Sequence, residues 1–525
     1  MSRIHRVLQK GGRASGSSDR QLLGARCPTL SVVPVEGDRF IGEAEPPFKR
    51  FFHIAPGPKH ITSNKRWCDR MTKVTKKQKP IQVSEDMPVI NRNAGGIDVG
   101  ASEVWISVPP DRDEEPVKRF ETFTRDLYTM ADWLKQCGIG SVAMESTGVY
   151  WIPVFQILEQ RGIEVILVNA RHAKNVAGRK TDWLDCQWLR ILHTFGLLAG
   201  SFQPAAEIAV LRSYLRHRQM LIEYAAAHIQ HMQKALTQMN LQLAHVVSDV
   251  TGLTGMRIIR AIVTGERNPQ RLAEMRDWRT KSDEETIAKA LEGNYQPEHV
   301  FALRQALELF DFYQQQIQVC DQQIRDYLRS LESKTDPENN PMKPARAKKK
   351  NRRNDPSFDC RHEAYRISGV DLTQIDSISE SAALTILSEI GVDMGPWKTE
   401  KHFASWLTVC PNNKITGGRI FQRRTRKSAN RVRDVLCLCA QSLFNSRSAL
   451  GAFSRRMRSR LGPEKAIVAT AHKLALLIYR LIKFGKDYVD IGEDAYEQQY
   501  KKRAVRNLAR KAKEFGFQLV ALAEA

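Results

Sequence analysis

Gly95-Gly96-Ile97-Asp98-Val99-Gly100 sets a carboxylate in a small, apolar stretch just ahead of the strand-like Val104-Trp105-Ile106-Ser107-Val108. A stray acid is costly in such a setting, so Asp98 asks for a role. Two further places repeat the pattern. Glu145 closes the apolar run Ser141-Val142-Ala143-Met144-Glu145 and precedes Ser146-Thr147-Gly148. Asp182 and Asp185 stand three apart in Lys180-Thr181-Asp182-Trp183-Leu184-Asp185, so on a helix they share one face. Oxygen-only donors of this kind suit a hard divalent cation such as Mg2+. Metal ions held by carboxylates can serve both the attacking and the leaving oxygen of a phosphodiester displacement.

Working outward, residues 93–204 alternate strand-like and helix-like patterns. Strands are predicted at 103–108, 117–124, 139–144 and 163–168, and helices at 125–137, 150–161 and 182–195. Three early strands followed by alternating helices and strands predict an α/β ribonuclease-H-like (RuvC-like) domain, although pattern alone admits other α/β folds. The acids favour this one: the first on strand one, the second at a later strand end, and a pair at a helix start.

Residues 205–333 read as long helices. Ile208, Leu211, Leu215, Arg218, Ile222, Ala225, Ile229, Met232, Leu236, Met239, Leu243, Val246 and Val250 follow strict 3,4 spacing, interrupted only by Arg218. This is a coiled-coil signature, and it fits an antiparallel hairpin within one chain as well as a coil between chains. Residues 334–363 form a basic linker in which Lys343 to Arg353 hold seven Lys/Arg, among them Lys348, Lys349, Lys350, Arg352 and Arg353. A mostly α-helical carboxy-terminal domain is predicted over 364–490, with a basic helix in 491–525.

That domain holds a second chemical candidate. Cys410-Pro411-Asn412-Asn413-Lys414-Ile415-Thr416-Gly417-Gly418-Arg419 reads as a loop, rigid at Pro411 and flexible at the glycines, that presents the Thr416 hydroxyl. Arg419, Arg423, Arg424, Arg426, Lys427, Arg431 and Arg433 follow it. A hydroxyl beside such cations can attack a phosphodiester while they offset the developing charge. Taken alone, a threonine before paired glycines is more often only a turn.

Composition bounds the partners. The 525 residues carry 81 Lys/Arg against 58 Asp/Glu, a formal charge of +23, which favours a polyanion. Residues 1–70 hold 13 Lys/Arg and 6 Asp/Glu, so the excess persists without them. Their aperiodic composition and the second start at Met71 predict a disordered leader outside the functional protein, followed by a basic linker at 71–92. Nine scattered cysteines lack CxxC or CxxH spacing, which argues against a zinc site or a disulfide framework. No apolar run reaches the ~18 residues of a membrane span, and with no disulfide framework a reduced, cytosolic compartment is the default expectation.

Taken in order, these motifs are similar to the DEDD-type transposases of bacterial insertion sequences. The resemblance spans roughly 93–490. It rests on Gly96-Ile97-Asp98-Val99-Gly100, Met144 to Trp151, Arg179 to Asp185, Asp249 to Gly255, Cys410 to Gly418 and Ala469 to Ala475. It implies a site-specific DNA recombinase whose four acids bind Mg2+. It also implies a hydroxyl nucleophile before Gly-Gly, an element-encoded guide RNA pairing with donor and target DNA, and assembly as a dimer or tetramer through the coiled coils. Lys180 and the two cation clusters would then contact nucleic acid. The family's serine is Thr416 here, whose β-branch crowds the oxygen. Either threonine serves as nucleophile, or the copy is weakened, or the acids act alone. The competing functions are a Holliday-junction-resolvase-like nuclease using only the acids, and a non-catalytic nucleic-acid-binding remnant.

Overall fold

The computed structural model describes residues 88–146, 148–169, 181–345, 353–426, 428–485 and 488–520, excepting the side chains of Lys414, Gln422, Arg423 and Arg424. The expectations for residues 1–70, for Lys180, Lys348, Lys349, Lys350, Arg352 and Lys427, and for most of the 71–92 linker lie outside these residues. The chain divides into two compact units, one ending at Gly200 and the other beginning at Ser201.

The first unit is built on a five-stranded sheet. Its strands are β1 (Ala94–Val99), β2 (Glu103–Ser107), β3 (Val117–Glu121), β4 (Ser141–Glu145) and β5 (Glu164–Val168), in the order β3-β2-β1-β4-β5. β1 to β3 form an antiparallel meander, whereas β4 and β5 run parallel to β1. The glycine-rich stretch around Asp98 is thus itself the central strand. α1 (Thr124–Gln136) and α2 (Trp151–Gln160) cover one face. Ile97, Val99, Val142 and Met144 meet Leu127, Met130, Leu134, Val154 and Leu158 there. Side chains alternate across a strand, so Gly96, Asp98, Ala143 and Glu145 belong to the opposite face. α3 (Asp182–Thr194) lies on that face, with Leu189 packed against Ala143 and Val168. The mixed sheet with helices on both sides fits a RuvC/ribonuclease-H-like DEDD domain.

In the second unit, α4 (Ala206–Gln238) and α5 (Pro297–Ser330) pair antiparallel within the chain. Tyr214 meets Tyr327 and Tyr224 meets Tyr313, at ring-centroid distances of 5.6 and 5.5 Å. The 3,4 seam outlasts the helix. α4 ends at Gln238, Asn240 adopts φ +56°, and Leu243–Val246 forms only a single turn. Arg218 does not disrupt the seam, because it is buried opposite Asp321. Asp321 also accepts from the Ser357 backbone at 2.9 Å, and Arg218 donates to the Asn354 carbonyl at 3.1 Å.

The carboxy-terminal part of this unit is helical around one embedded hairpin. α6 (Cys360–Ser368), α7 (Glu380–Ile390), α8 (Glu400–Trp406), α9 (Arg431–Ser442), α10 (Ala449–Leu461) and α11 (Pro463–Phe484) precede the basic α12 (Gly492–Glu514). Its core joins Ile386, Leu387, Phe403, Leu407, Leu436, Leu474 and Ile478. Arg216 clamps the buried Glu389 of α7 to α4 through two hydrogen bonds of 2.9 and 2.7 Å. Among the described residues no helix is long and apolar enough to cross a membrane.

Candidate active site

Gly96 determines where the acids come together. A Cβ on Gly96 would lie 2.1 Å from the Cys186 carbonyl oxygen and 2.3 Å from the Arg190 nitrogen, so only glycine lets α3 pack backbone to backbone on β1. The helix runs antiparallel to the strand. The amides of Ile90 and Asn91, just before β1, donate to Thr194 at the end of α3 (3.0 and 2.9 Å). The first turn of α3 therefore lies toward the strand ends that carry the acids. Arg190 Nε donates to Ser107 Oγ at 3.1 Å, and Ser141 Oγ lies 2.8 Å from His193 Nε2, fixing the helix along its length.

Ile97 pairs with Met144 in parallel register, so the next residues of each strand, Asp98 and Glu145, are neighbours on the α3 face. Glu145 is only 9% exposed, Asp98 is half-buried, and both sit where the sheet ends. Thr181 takes the extended backbone of an N-cap, and its carbonyl receives the amides of Leu184 and Asp185 (2.9 and 3.1 Å). Asp182, exposed, and Asp185, half-buried, occupy the first helical turn, where the helix dipole favours negative charge. Burial, with Asp98 adding to it, pushes the neighbouring Cys186 thiol up and keeps it protonated. Burial likewise lowers the His193 imidazole. Asp98 and Glu145 are thus neighbours with the first turn of α3 toward them, and carboxylate oxygens are the donor type that a hard cation takes. Among the described residues, no three His, Cys, Asp or Glu side chains close into a ready cage.

The Thr416 segment is not the loop that its glycines suggested. β6 (Asn412–Thr416) and β7 (Arg419–Arg424) form a two-residue β-hairpin, with Thr416 opposite Arg419. Gly417 and Gly418 have φ +56° and +74°, the left-handed backbone such a turn requires. A Cβ on either would meet nothing within 4 Å, so their role is conformational rather than to make room. The missed signal was the two-residue Gly-Gly itself, flanked by the β-formers Ile415-Thr416 and Ile420-Phe421. Thr416 and Arg419 are both exposed at the tip.

The other candidates are more constrained. Arg353 pairs with Asp249 at 2.7 Å and also reaches the Thr251 hydroxyl. Arg426 donates to the Ser405 carbonyl at 2.6 Å, anchoring the hairpin's end to α8. Ser428 Oγ accepts from the Asn430 amide at 3.1 Å, and Asn430 in turn caps α9. At the hairpin's base, Cys410 Sγ lies 3.6 Å from His472 Nδ1. Burial holds His472 below its ordinary range, which suits a structural imidazole. Trp151, at the end of the Met144 to Trp151 motif, packs edge-on against Phe155 at 5.8 Å and against the core of the first unit.

Residues 95–241, containing the acid edge, match a family model for DEDD transposases of the IS110 type, described as Transposase. Residues 371–455, containing the hairpin, match the model described as Transposase IS116/IS110/IS902 family. No curated protein matches the chain. The chain thus carries IS110-family transposase domains and is a DNA transposase/recombinase of an insertion sequence. DNA binding follows from that class, and DEDD domains of this type use divalent metals.

Proposed function

We propose that the protein cuts and rejoins the DNA of its own element by Mg2+-dependent phosphodiester transfer, with Thr416 as the covalent nucleophile. The observation that carries this reading is the Asp98–Glu145 neighbour pair under the first turn of α3. Asp98, Glu145, Asp182 and Asp185 would hold Mg2+, which when bound supplies charge stabilisation at the reacting oxygens. Thr416 Oγ forms a bond to phosphorus as the bond to a deoxyribose oxygen breaks. The hydroxyl proton passes to solvent, and the departing oxygen takes one up. Attack by a second DNA hydroxyl on that phosphothreonine reverses the exchange, rejoins the strand and restores Thr416. Arg419, opposite Thr416, offsets charge on the transferring phosphoryl group.

Guidance by an element-encoded RNA is part of the proposal. Base pairing would supply sequence choice while Lys180, the cations from Lys343 to Arg352 and the hairpin cations hold backbone phosphates. Assembly as a dimer or tetramer through the long helices completes it. The test is cleavage of supercoiled element-end DNA, with its guide RNA, by Asp98→Asn and Asp185→Asn. The amide keeps the shape and removes a charged ligand, so cutting should fall on the order of 100-fold or more, with unchanged circular dichroism. Undiminished cutting by either variant overturns the metal assignment.

A further inference from the structure

The hairpin carries an apolar tip that its own domain does not cover. Lys414 pairs with Gln422 but Ile415 pairs with Ile420, so Phe421 is the extra residue of a β-bulge. A bulge leaves its extra residue unpaired and re-aims the side chain. Phe421 is 83% exposed, and the paired Ile415 and Ile420 beside it are 63% and 41% exposed. None of them belongs to the buried core of the carboxy-terminal part. Three large apolar side chains displayed together call for a partner.

Charge identifies the partner's chemistry. From Lys401 through Arg433 the chain has nine Lys/Arg and no Asp or Glu. An apolar tip in a wholly cationic stretch fits nucleic acid, whose backbone is anionic and whose bases are apolar on their faces. A second copy of this basic chain would bring like charge against it. We propose that Phe421 is a wedge that unstacks a nucleobase beside the phosphodiester held at Thr416. The inference rests on the reading of Thr416 above.

The geometry gives its range. Phe421 lies two residues beyond Arg419, the partner of Thr416. At ~3.3 Å per residue that is about 7 Å along the strand, or roughly two nucleotide rises of ~3.4 Å. The disturbed base should therefore lie within about two nucleotides of the reacting phosphodiester. Apolar side chains inserted between base steps unstack and kink duplex DNA in just this manner. Unstacking frees the local backbone to reach a threonine hydroxyl crowded by its own β-methyl. Phe421 is thus a positioning residue, acting through the shape of the DNA.

The test uses the full chain with its guide RNA and element-end duplexes carrying 2-aminopurine at successive positions around the cut. Wild type should raise the fluorescence several-fold within two nucleotides of the junction. Phe421→Ala should lose that rise, and Phe421→Trp should keep it. Cleavage by Phe421→Ala should fall at least tenfold on paired duplex and recover on a duplex mismatched at the same step. Thr416→Val should still unstack the base while forming no adduct, which separates failure of the wedge from failure of the nucleophile. An unchanged fluorescence rise in Phe421→Ala, or a cleavage defect that mismatches do not relieve, overturns the proposal. So does a Phe421→Ala change confined to oligomer size in sedimentation, because a second copy would then cover the tip.

Discussion

Gly96 on β1 lies directly beneath Cys186 on α3, so close that a single added methyl would sit 2.1 Å from the Cys186 carbonyl oxygen. That contact sets how far the first turn of α3, with Asp182 and Asp185, stands from Asp98 two residues along the strand. Gly96→Ala should push the helix off the sheet, costing about 1–3 kcal/mol as an overpacking change. DNA cleavage should fall further than that loss of folded protein accounts for. Urea unfolding alongside cleavage assays at fully folded conditions checks this; a stable variant with normal cutting would show that the spacing is not critical.

Thr416→Ser should be at least as active as the parent. Its hydroxyl is exposed at a hairpin tip, and removing the β-methyl opens the approach to phosphorus. Thr416→Val keeps the branch and deletes the oxygen, so it should fold normally and form no covalent DNA adduct. Peptide mapping of the adduct trapped in denaturant decides the matter, and an adduct that persists in Thr416→Val places the nucleophile elsewhere.

Arg218 and Asp321 form an ion pair only 6% and 2% exposed, across the two long helices. Removing one partner leaves the other buried and uncompensated, so Arg218→Met should cost about 3–5 kcal/mol. The double variant Arg218→Met/Asp321→Leu should recover much of that. Recovery should stay incomplete, because the Asn354 carbonyl and the Ser357 amide also lose their partners. Chemical denaturation of the single and double variants gives the coupling directly.

Cations singled out together in the sequence should behave differently. Arg419 is exposed opposite Thr416, so Arg419→Ala should weaken DNA binding and lower the salt slope by about 1. Arg353 is engaged with Asp249 and Thr251, so Arg353→Ala should reduce stability and leave that slope largely unchanged. Binding isotherms across a salt series, read beside melting curves, separate the two.

By itself the sequence determined what depends on local period and residue chemistry. The strand and helix order of residues 103–195 followed from alternation and 3.6-residue spacing, and the structure places each element within a few residues of expectation. Asp98 and Glu145 stood out because a carboxylate in an apolar run is costly unless it has a task, and Asp182 and Asp185 because their spacing puts them on one helix face. The 3,4 seam from Ile208 marked long helices within residues 205–333 and left open whether they pair within one chain or between chains. The tertiary structure decided what depends on which segments meet. It paired those helices within the chain and ended the first at Gln238, although the seam continued. It buried Arg218 where the sequence showed an interruption, because Asp321 lies 103 residues away and only folding brings it across. It turned a glycine loop into a hairpin and fixed its register, with the bulge at Phe421, which the Gly-Gly and its short flanks do not set by themselves. Above all it aligned Asp98 with Glu145 and laid α3 over them, a meeting set by parallel register and by the missing side chain of Gly96 rather than by the acids themselves.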